Sequence, residues 1–191
     1  MRVFAALPLP TSAAAELAAA VEPLRRALPR LRWVSPAGYH VTVHFFGDLD
    51  EPAMSRLRAL FREPDLRVAA IPARWGRLGQ FPGRGPARVI HAELEKGAEE
   101  AHAFHDLFHR MAAPLGYAPD PRGFSPHVTL ARAGQVAPAE GWQDGVRLPD
   151  GEFLIGECVL YESVLGPAGA RYTALAAAGF SAPGSAEGQR S

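Results

Sequence analysis

Cysteine and lysine are almost missing from this chain. Its 191 residues include one Cys, Cys158, and one Lys, Lys96. A single cysteine cannot form an internal disulfide, which excludes the small disulfide-framed scaffolds. Cys158 lies in an apolar run, the setting of a buried thiol rather than a nucleophile. Long apolar runs are missing too. Pro8 and Pro10 break the first one, so residues 1–15 are too short for a membrane span or a secretory core and read as the first strand of the fold. Net charge is also absent: 20 basic residues balance 20 acidic ones, which removes any global attraction to nucleic acid or membrane. The expectation is a monomeric cytoplasmic enzyme that does not contact membrane. A core is available, because 48% of residues are hydrophobic, enough for one substantial domain or two small lobes. The basic residues are otherwise all Arg, whose fork binds phosphate bidentately where Lys does not. A GC-rich genome produces the same bias, together with the many Ala, Gly and Pro.

Two short segments repeat one pattern: Tyr39-His40-Val41-Thr42-Val43 and Pro126-His127-Val128-Thr129-Leu130. A strand sends alternate side chains to one face, so His40 and Thr42 share a face, as do His127 and Thr129, while Val41 and Val128 face the core. Around them, strands are expected over 2–7, 32–34, 39–46, 66–75, 87–94, 128–132, 152–162 and 172–177. Thr11 or Ser12 is expected to cap a helix reaching residue 28, with Leu17, Ala20, Val21, Leu24 and Leu28 as its apolar stripe. Asp50 caps a second helix, whose buried side is Met54, Leu57 and Phe61. A third covers 99–115, with Ala101, Phe104, Phe108, Met111 and Leu115 on one face. Residues 79–86 (GQFPGRGP) read as a loop, and 179–191 as a small, polar, disordered tail after a domain of 1–178.

Strand, long helix, loop and His-x-Thr strand occur in this order twice, and the step from Arg2 to His40 equals that from Val89 to His127. This predicts an α+β fold of two similar lobes, with antiparallel sheets and flanking helices, related by a pseudo-two-fold axis. The two motifs would then meet across a central cleft. A histidine pair can hold one neutral and one protonated ring at the same pH, which suits displacement at phosphorus. One ring takes a proton from the attacking oxygen and the other gives one to the leaving oxygen. The two Thr hydroxyls donate to the non-bridging oxygens. A lone His on a strand is more often a satisfied polar side chain than a catalyst. Two copies at matching positions reverse that weighting.

Other candidates are weaker. His44 shares the parity of His40, which places it at the cleft mouth or at a polar strand edge. His91 reads as structural. His102, His105 and His109 lie on one helix flank and read as a solvated face, since no third ligand from elsewhere is evident for a metal. Arg132 has the opposite parity to His127, so it needs a bulge or a strand end to reach a phosphate there. Arg32, Arg84 and Arg88 are further candidates. Phe45, Phe46, Phe81 and Phe124 can stack on a base. Phe45 has core parity, whereas Phe81 lies in the Gly/Pro loop.

Five blocks, MRVFAALPLP, RWVSPAGYHVTVHFFGDL, FPGRGPARVI, GFSPHVTLAR and LYESVLGPAGARYTALA, resemble the two-histidine phosphoesterases, in particular the LigT-like RNA 2′,3′-cyclic phosphodiesterase (ThpR) family. The likeness runs from residue 1 to about 178 and is weak over 133–151. It implies a two-lobed α+β fold with a central cleft and no cofactor or metal. It also implies hydrolysis of RNA 2′,3′-cyclic phosphate ends to 2′-phosphates. By position, His40 is the proton donor to the 3′ oxygen, His127 the base that activates water, and Thr42 and Thr129 hold the phosphate. Arg132, Phe81, Phe45 and His44 are candidate substrate-binding residues. The family is also associated with joining tRNA fragments through a 2′–5′ linkage. Three alternatives stand beside this reading: a phosphodiesterase of small cyclic nucleotides, a non-catalytic RNA-end binding module, and a metallohydrolase on the histidine helix face.

Overall fold

A computed structural model describes residues 1–118, 120–121, 123–133, 138, 141–166 and 169–182. In chain order the elements are β1 (Arg2–Pro8), α1 (Thr11–Ala27), β2 (Arg32–Trp33), β3 (His40–Asp48), α2 (Glu51–Leu60), β4 (Ile71–Phe81), β5 (Val89–Lys96), α3 (Ala98–Ala112), β6 (His127–Arg132), β7 (Phe153–Ile155), β8 (Glu157–Gly166) and β9 (Gly169–Gly179). The strands join in the order β7-β4-β5-β6-β3-β1-β8-β9, with β2 beside β6. Each of these pairings is antiparallel. The predicted two-fold repeat lies in this order. Outward from the central β6–β3 contact, β5 and β4 on one side match β1 and β8 on the other, and α3 and α1 cross over from the equivalent strands β5 and β1.

All three helices feed one core. Leu17 and Val21 of α1, Met54 and Leu57 of α2, and Phe104 and Phe108 of α3 pack on Val3, Ala5, Val41, Ala92, Val128 and Leu130 of the sheet. Each of these large side chains contributes about 1.5–3 kcal/mol by leaving water. Among the described residues, the core side chains of all three α-helices lie against this one face of the sheet. The Asp50 cap is as expected: its Oδ1 accepts from Ala53 N at 2.9 Å. Cys158 is fully buried, and burial pushes its thiol pKa up, in keeping with an inert core residue.

Several boundaries differ from the sequence expectation. Thr11 is the first residue of α1 instead of its cap, and Pro10 occupies the cap position. The strand expected over 66–75 starts at Ile71, after a short 3-10 turn, and runs into the expected loop as far as Phe81. The strand expected over 152–162 is two strands separated by Gly156. Its first part, β7, pairs with β4 and its second, β8, with β1. The sheet therefore curls until its two ends share one chain segment. The fold also continues past residue 178. β9 runs to Gly179, the Phe180 ring lies 5.1 Å from that of Phe104, and Ser181 bridges to Ala69. The rest of the expected tail, 183–191, lies outside the described residues.

Gly97 starts α3 with φ +85°, and a Cβ there would come within 2.8 Å of the Pro72 carbonyl and 3.1 Å of Ile71. Only glycine meets both demands. Gly97→Ala should lower stability by about 1–3 kcal/mol. Urea denaturation measures this, and an unchanged midpoint would contradict it.

Candidate active site

The site grows from one cross-strand pair. Val41 of β3 lies opposite Val128 of β6, and both side chains are fully buried beneath the sheet. Their neighbours therefore emerge on the face opposite the core. Antiparallel register sets Thr42 beside His127 and His40 beside Thr129. The four side chains form a square with the two histidines on its diagonal. Diagonal neighbours are about 7–8 Å apart, a span that a phosphate bridges with a hydrogen bond to each ring.

Both rings are oriented in the same way. His40 Nδ1 donates to the Gly38 carbonyl and His127 Nδ1 to the Ser125 carbonyl, each at 2.7 Å and each two residues back along the chain. This leaves Nε2 as the reactive nitrogen in both. Thr42 Oγ1 is 3.1 Å from His40 Nε2, to which it can donate. Burial lowers the His40 pKa to about 4, and the charges of His127 and Arg132 add to the effect. His127 is also lowered, by burial first, with Arg132 acting in the same direction and the Ser125 bond and Glu93 opposing. In the unliganded site both rings are neutral at pH 7 and wait for an anion.

Two bulges redistribute the neighbouring side chains. On β3, Thr42 pairs with Ala6 but His44 with Ala5, so Val43 is an extra residue and parity reverses after it. His44, expected at the cleft mouth or at a polar strand edge, packs instead on the helix side against Phe46, His109 and Tyr117, with ring centroids 4.6, 4.8 and 6.1 Å away. Phe45, given core parity by simple alternation, is 60% exposed on the cleft face, 5.6 Å from Phe4. On β6, Thr129 pairs with His91 but Ala131 with Ile90. This bulge brings Arg132 onto the cleft face, where its charge acts on His40, His127 and Tyr172. Arg32 pairs with Arg132 across β2–β6 and shares its face.

Of the remaining candidates, Phe81 is the last residue of β4, and its ring stacks on His91 at 4.3 Å and lies 4.9 Å from His127. Phe46 and Phe124 are on the helix side, against Phe108 and His105 respectively. Arg84 is exposed in the loop after β4, and the Arg88 backbone bonds Phe81 and Ala133. The histidine flank of α3 is solvated only in part: His102 is exposed, whereas His105 and His109 are 8% and 6% exposed, beneath Phe124 and His44. The described residues hold no group of three or more metal-ligating side chains placed to bind an ion.

Sequence reasoning missed a ring of residues around each histidine. Phe4 and Tyr172 lie 5.0 and 5.4 Å from His40, and Tyr161 stacks on Phe4. Behind them is a hollow of about 340 Å³ lined by Pro36, Tyr39, Tyr161 and Tyr172 among others. At His127 the missed residues are His91, 4.9 Å away ring to ring, and Glu93, its cross-strand partner. A hollow of about 620 Å³ opens beyond Glu93, lined by Arg77, Gln80 and Arg147 among others. The signal available for His91 and Glu93 was their common parity on 87–94. It became informative only once β5 was known to lie beside β6.

A family model described as the 2′-5′ RNA ligase superfamily matches residues 10–166, most of the chain and both motifs. The chain belongs to the 2′-5′ RNA ligase superfamily. Among curated relatives, the RNA 2′,3′-cyclic phosphodiesterase of Aeropyrum pernix is 29% identical over 53% of this chain and 57% of its own length. That of Methanocaldococcus jannaschii is 25% identical over 92% of this chain and 98% of its own. A crystal structure from Thermus thermophilus superposes with a TM-score of 0.76 at 28% identity, covering 94% of this chain and 97% of that one. Membership agrees with the fold found here, including the two lobes and the cleft. No described helix is long and apolar enough to cross a membrane.

The histidines give this superfamily member an acid-sensitive fold. His40, His44 and His91 are each lowered to about 4, mainly by burial, and His109 and His127 are lowered as well. Unfolding restores each to about 6.5, so the unfolded chain binds more protons below that pH. This contribution to stability is full well above pH 6.5 and falls as the pH drops toward 4. The melting temperature should decline steadily from pH 7 to pH 5, before carboxylates titrate. A flat profile over that interval would refute the assignment.

Proposed function

We propose that this protein is an RNA 2′,3′-cyclic phosphodiesterase that opens the terminal cyclic phosphate to a 2′-phosphomonoester by two-histidine acid/base catalysis. The observation that supports this most is the diagonal His40/His127 pair, each ring held by the same Nδ1 bond to a backbone carbonyl. The relatives named as RNA 2′,3′-cyclic phosphodiesterases agree with it.

In the proposed reaction, water attacks phosphorus and gives its proton to His127 Nε2. The bond from phosphorus to the 3′ oxygen breaks, and His40 Nε2–H protonates that oxygen. The phosphate stays on the 2′ oxygen. Exchange with solvent returns both rings to their starting states. The anionic substrate makes His40 competent as an acid, because the phosphate charge offsets the burial that keeps the free ring neutral. Thr42 and Thr129 donate to the non-bridging oxygens, and Arg132 offsets the charge that grows there. Phe45, Phe81, Tyr161 and Tyr172 offer ring faces to the terminal nucleosides. With a 5′ hydroxyl in place of water as the nucleophile, the same steps join a 2′,3′-cyclic end to that hydroxyl through a 2′–5′ linkage, and tRNA fragments are one such substrate. A monomer acting in the cytoplasm, within a domain of about 1–178 extended to Ser181, completes the reading. His44 has no part in it, since it lies behind the sheet.

The test is turnover of a short RNA with a 2′,3′-cyclic phosphate end in the presence of a chelator. His40→Ala and His127→Ala should each reduce kcat by about 10²–10⁴, and the wild-type product should be a 2′-phosphate by NMR. Thr42→Ala and Thr129→Ala should slow turnover less. Activity that survives both histidine substitutions would sink the mechanism, and a wild type inert on RNA ends yet active on cyclic mononucleotides would redirect the substrate.

A further inference from the structure

The two-fold repeat matches the backbones of the two halves but not their charges. In the His40 half, β1 sets Pro8 opposite His40 and Ala6 opposite Thr42. In the His127 half, β5 sets Glu93 opposite His127 and His91 opposite Thr129. At equivalent places one histidine has two small apolar neighbours and the other has an imidazole and a carboxylate. These groups form a chain. Arg77 Nε donates to Glu93 Oε2 at 2.8 Å, Glu93 Oε1 is 3.5 Å from His91 Nε2, and the His91 ring is 4.9 Å from that of His127. His91 is 1% exposed and clamped beneath Phe81. Gly79, opposite His91, leaves the space for it: a Cβ there would come 2.5 Å from His91 Nε2 and 2.7 Å from Glu93 Oε1. A buried imidazole held against a carboxylate, facing a catalytic ring and accommodated by a glycine, is a built arrangement rather than a solvated charge.

We propose that Glu93 and His91 are positioning residues for His127, the carboxylate stabilising the positive ring that forms when His127 takes the proton of the attacking water. This rests on the function proposed above and adds a physical reason for the division of labour. A base must become an imidazolium in the transition state, and a neighbouring carboxylate favours that charge. The acid must release its proton, and His40 has no carboxylate among its cross-strand neighbours, while the charges of His127 and Arg132 both oppose its protonated form. The titratable and charged groups facing His127 are His91 and Glu93 from β5, Arg132 from its own strand and His40 from β3, with Arg77 of β4 behind Glu93. Among them Glu93 is the one whose charge favours the protonated ring. His91 is lowered first by burial and then by the charge of His127, with Glu93 opposing, so a neutral His91 holds the carboxylate without competing for the charge.

The test is Glu93→Gln, an isosteric change at a partly exposed position, read in two ways. In the unliganded protein, an NMR titration follows the His127 ring. In turnover of RNA with a cyclic phosphate end, kcat, KM and the pH profile are measured. The His127 midpoint should move to lower pH while that of His40 stays. kcat should fall about tenfold with KM almost unchanged, and the acidic limb of kcat/KM should move to lower pH with the ring. His91→Gln should shift all three in the same direction by less. An unmoved His127 midpoint overturns the proposal, and so does a moved midpoint with unchanged kcat. Movement of the basic limb instead would assign Glu93 to the acid and overturn it equally. A wild type inert on RNA ends would refute the substrate reading, while the ring titration would still decide the Glu93–His127 link.

Discussion

Everything at the site depends on one backbone pairing, β3 against β6, centred on Val41 and Val128. It joins the two lobes at the middle of the sheet and sets the register of both motifs at once. A slip of one residue would send the histidines under the sheet and the valines into water. Register is therefore held by the apolar face: Val41, Val128, Leu130 and Ala92 are fully buried against the helices. The catalytic geometry is a by-product of core packing on the other side of the same strands.

The arrangement also explains how a near-symmetric scaffold runs an asymmetric reaction. The bonds to the Gly38 and Ser125 carbonyls make the two rings equivalent in tautomer and direction. The strands outside them differ. Phe4, Tyr161 and Tyr172 surround His40 with aromatic surface, whereas His91, Glu93 and Arg77 surround His127 with a polar chain. Two neutral rings under the influence of Arg132 form a site that is electrostatically incomplete until an anion enters. In the proposed reaction a phosphodiester supplies the missing charge, which would couple substrate binding to protonation of His40.

A chain with zero formal net charge has no long-range pull on RNA. Attraction has to be local, and the cleft face gathers it in the Arg32–Arg132 cross-strand pair, while Arg77 is engaged by Glu93. Recognition of this kind suits a chain end. In the proposed function one phosphate and the nearest bases would be gripped closely, with little contribution from the rest of the strand.

From the sequence alone one could read the repeat, the two motifs, the buried faces of the helices and the shared parity of His40 with Thr42 and of His127 with Thr129. These are local properties: two residues apart on a strand means the same face, whatever the partner. The family resemblance added the reaction. Tertiary structure decided the rest. The bulges at Val43 and Leu130 arise where hydrogen bonds to β1 and β5 fall out of step, so they depend on strands distant in sequence. They turned His44 away, brought Phe45 out and delivered Arg132 to the cleft, against or beyond simple alternation. The burial of His105 and His109 likewise needed the facing surface of β3 and Phe124, and the meeting of His91 and Glu93 with His127 needed β5 to lie beside β6. Alternation is written into each strand's own backbone, but the place where it breaks is set by the strand alongside.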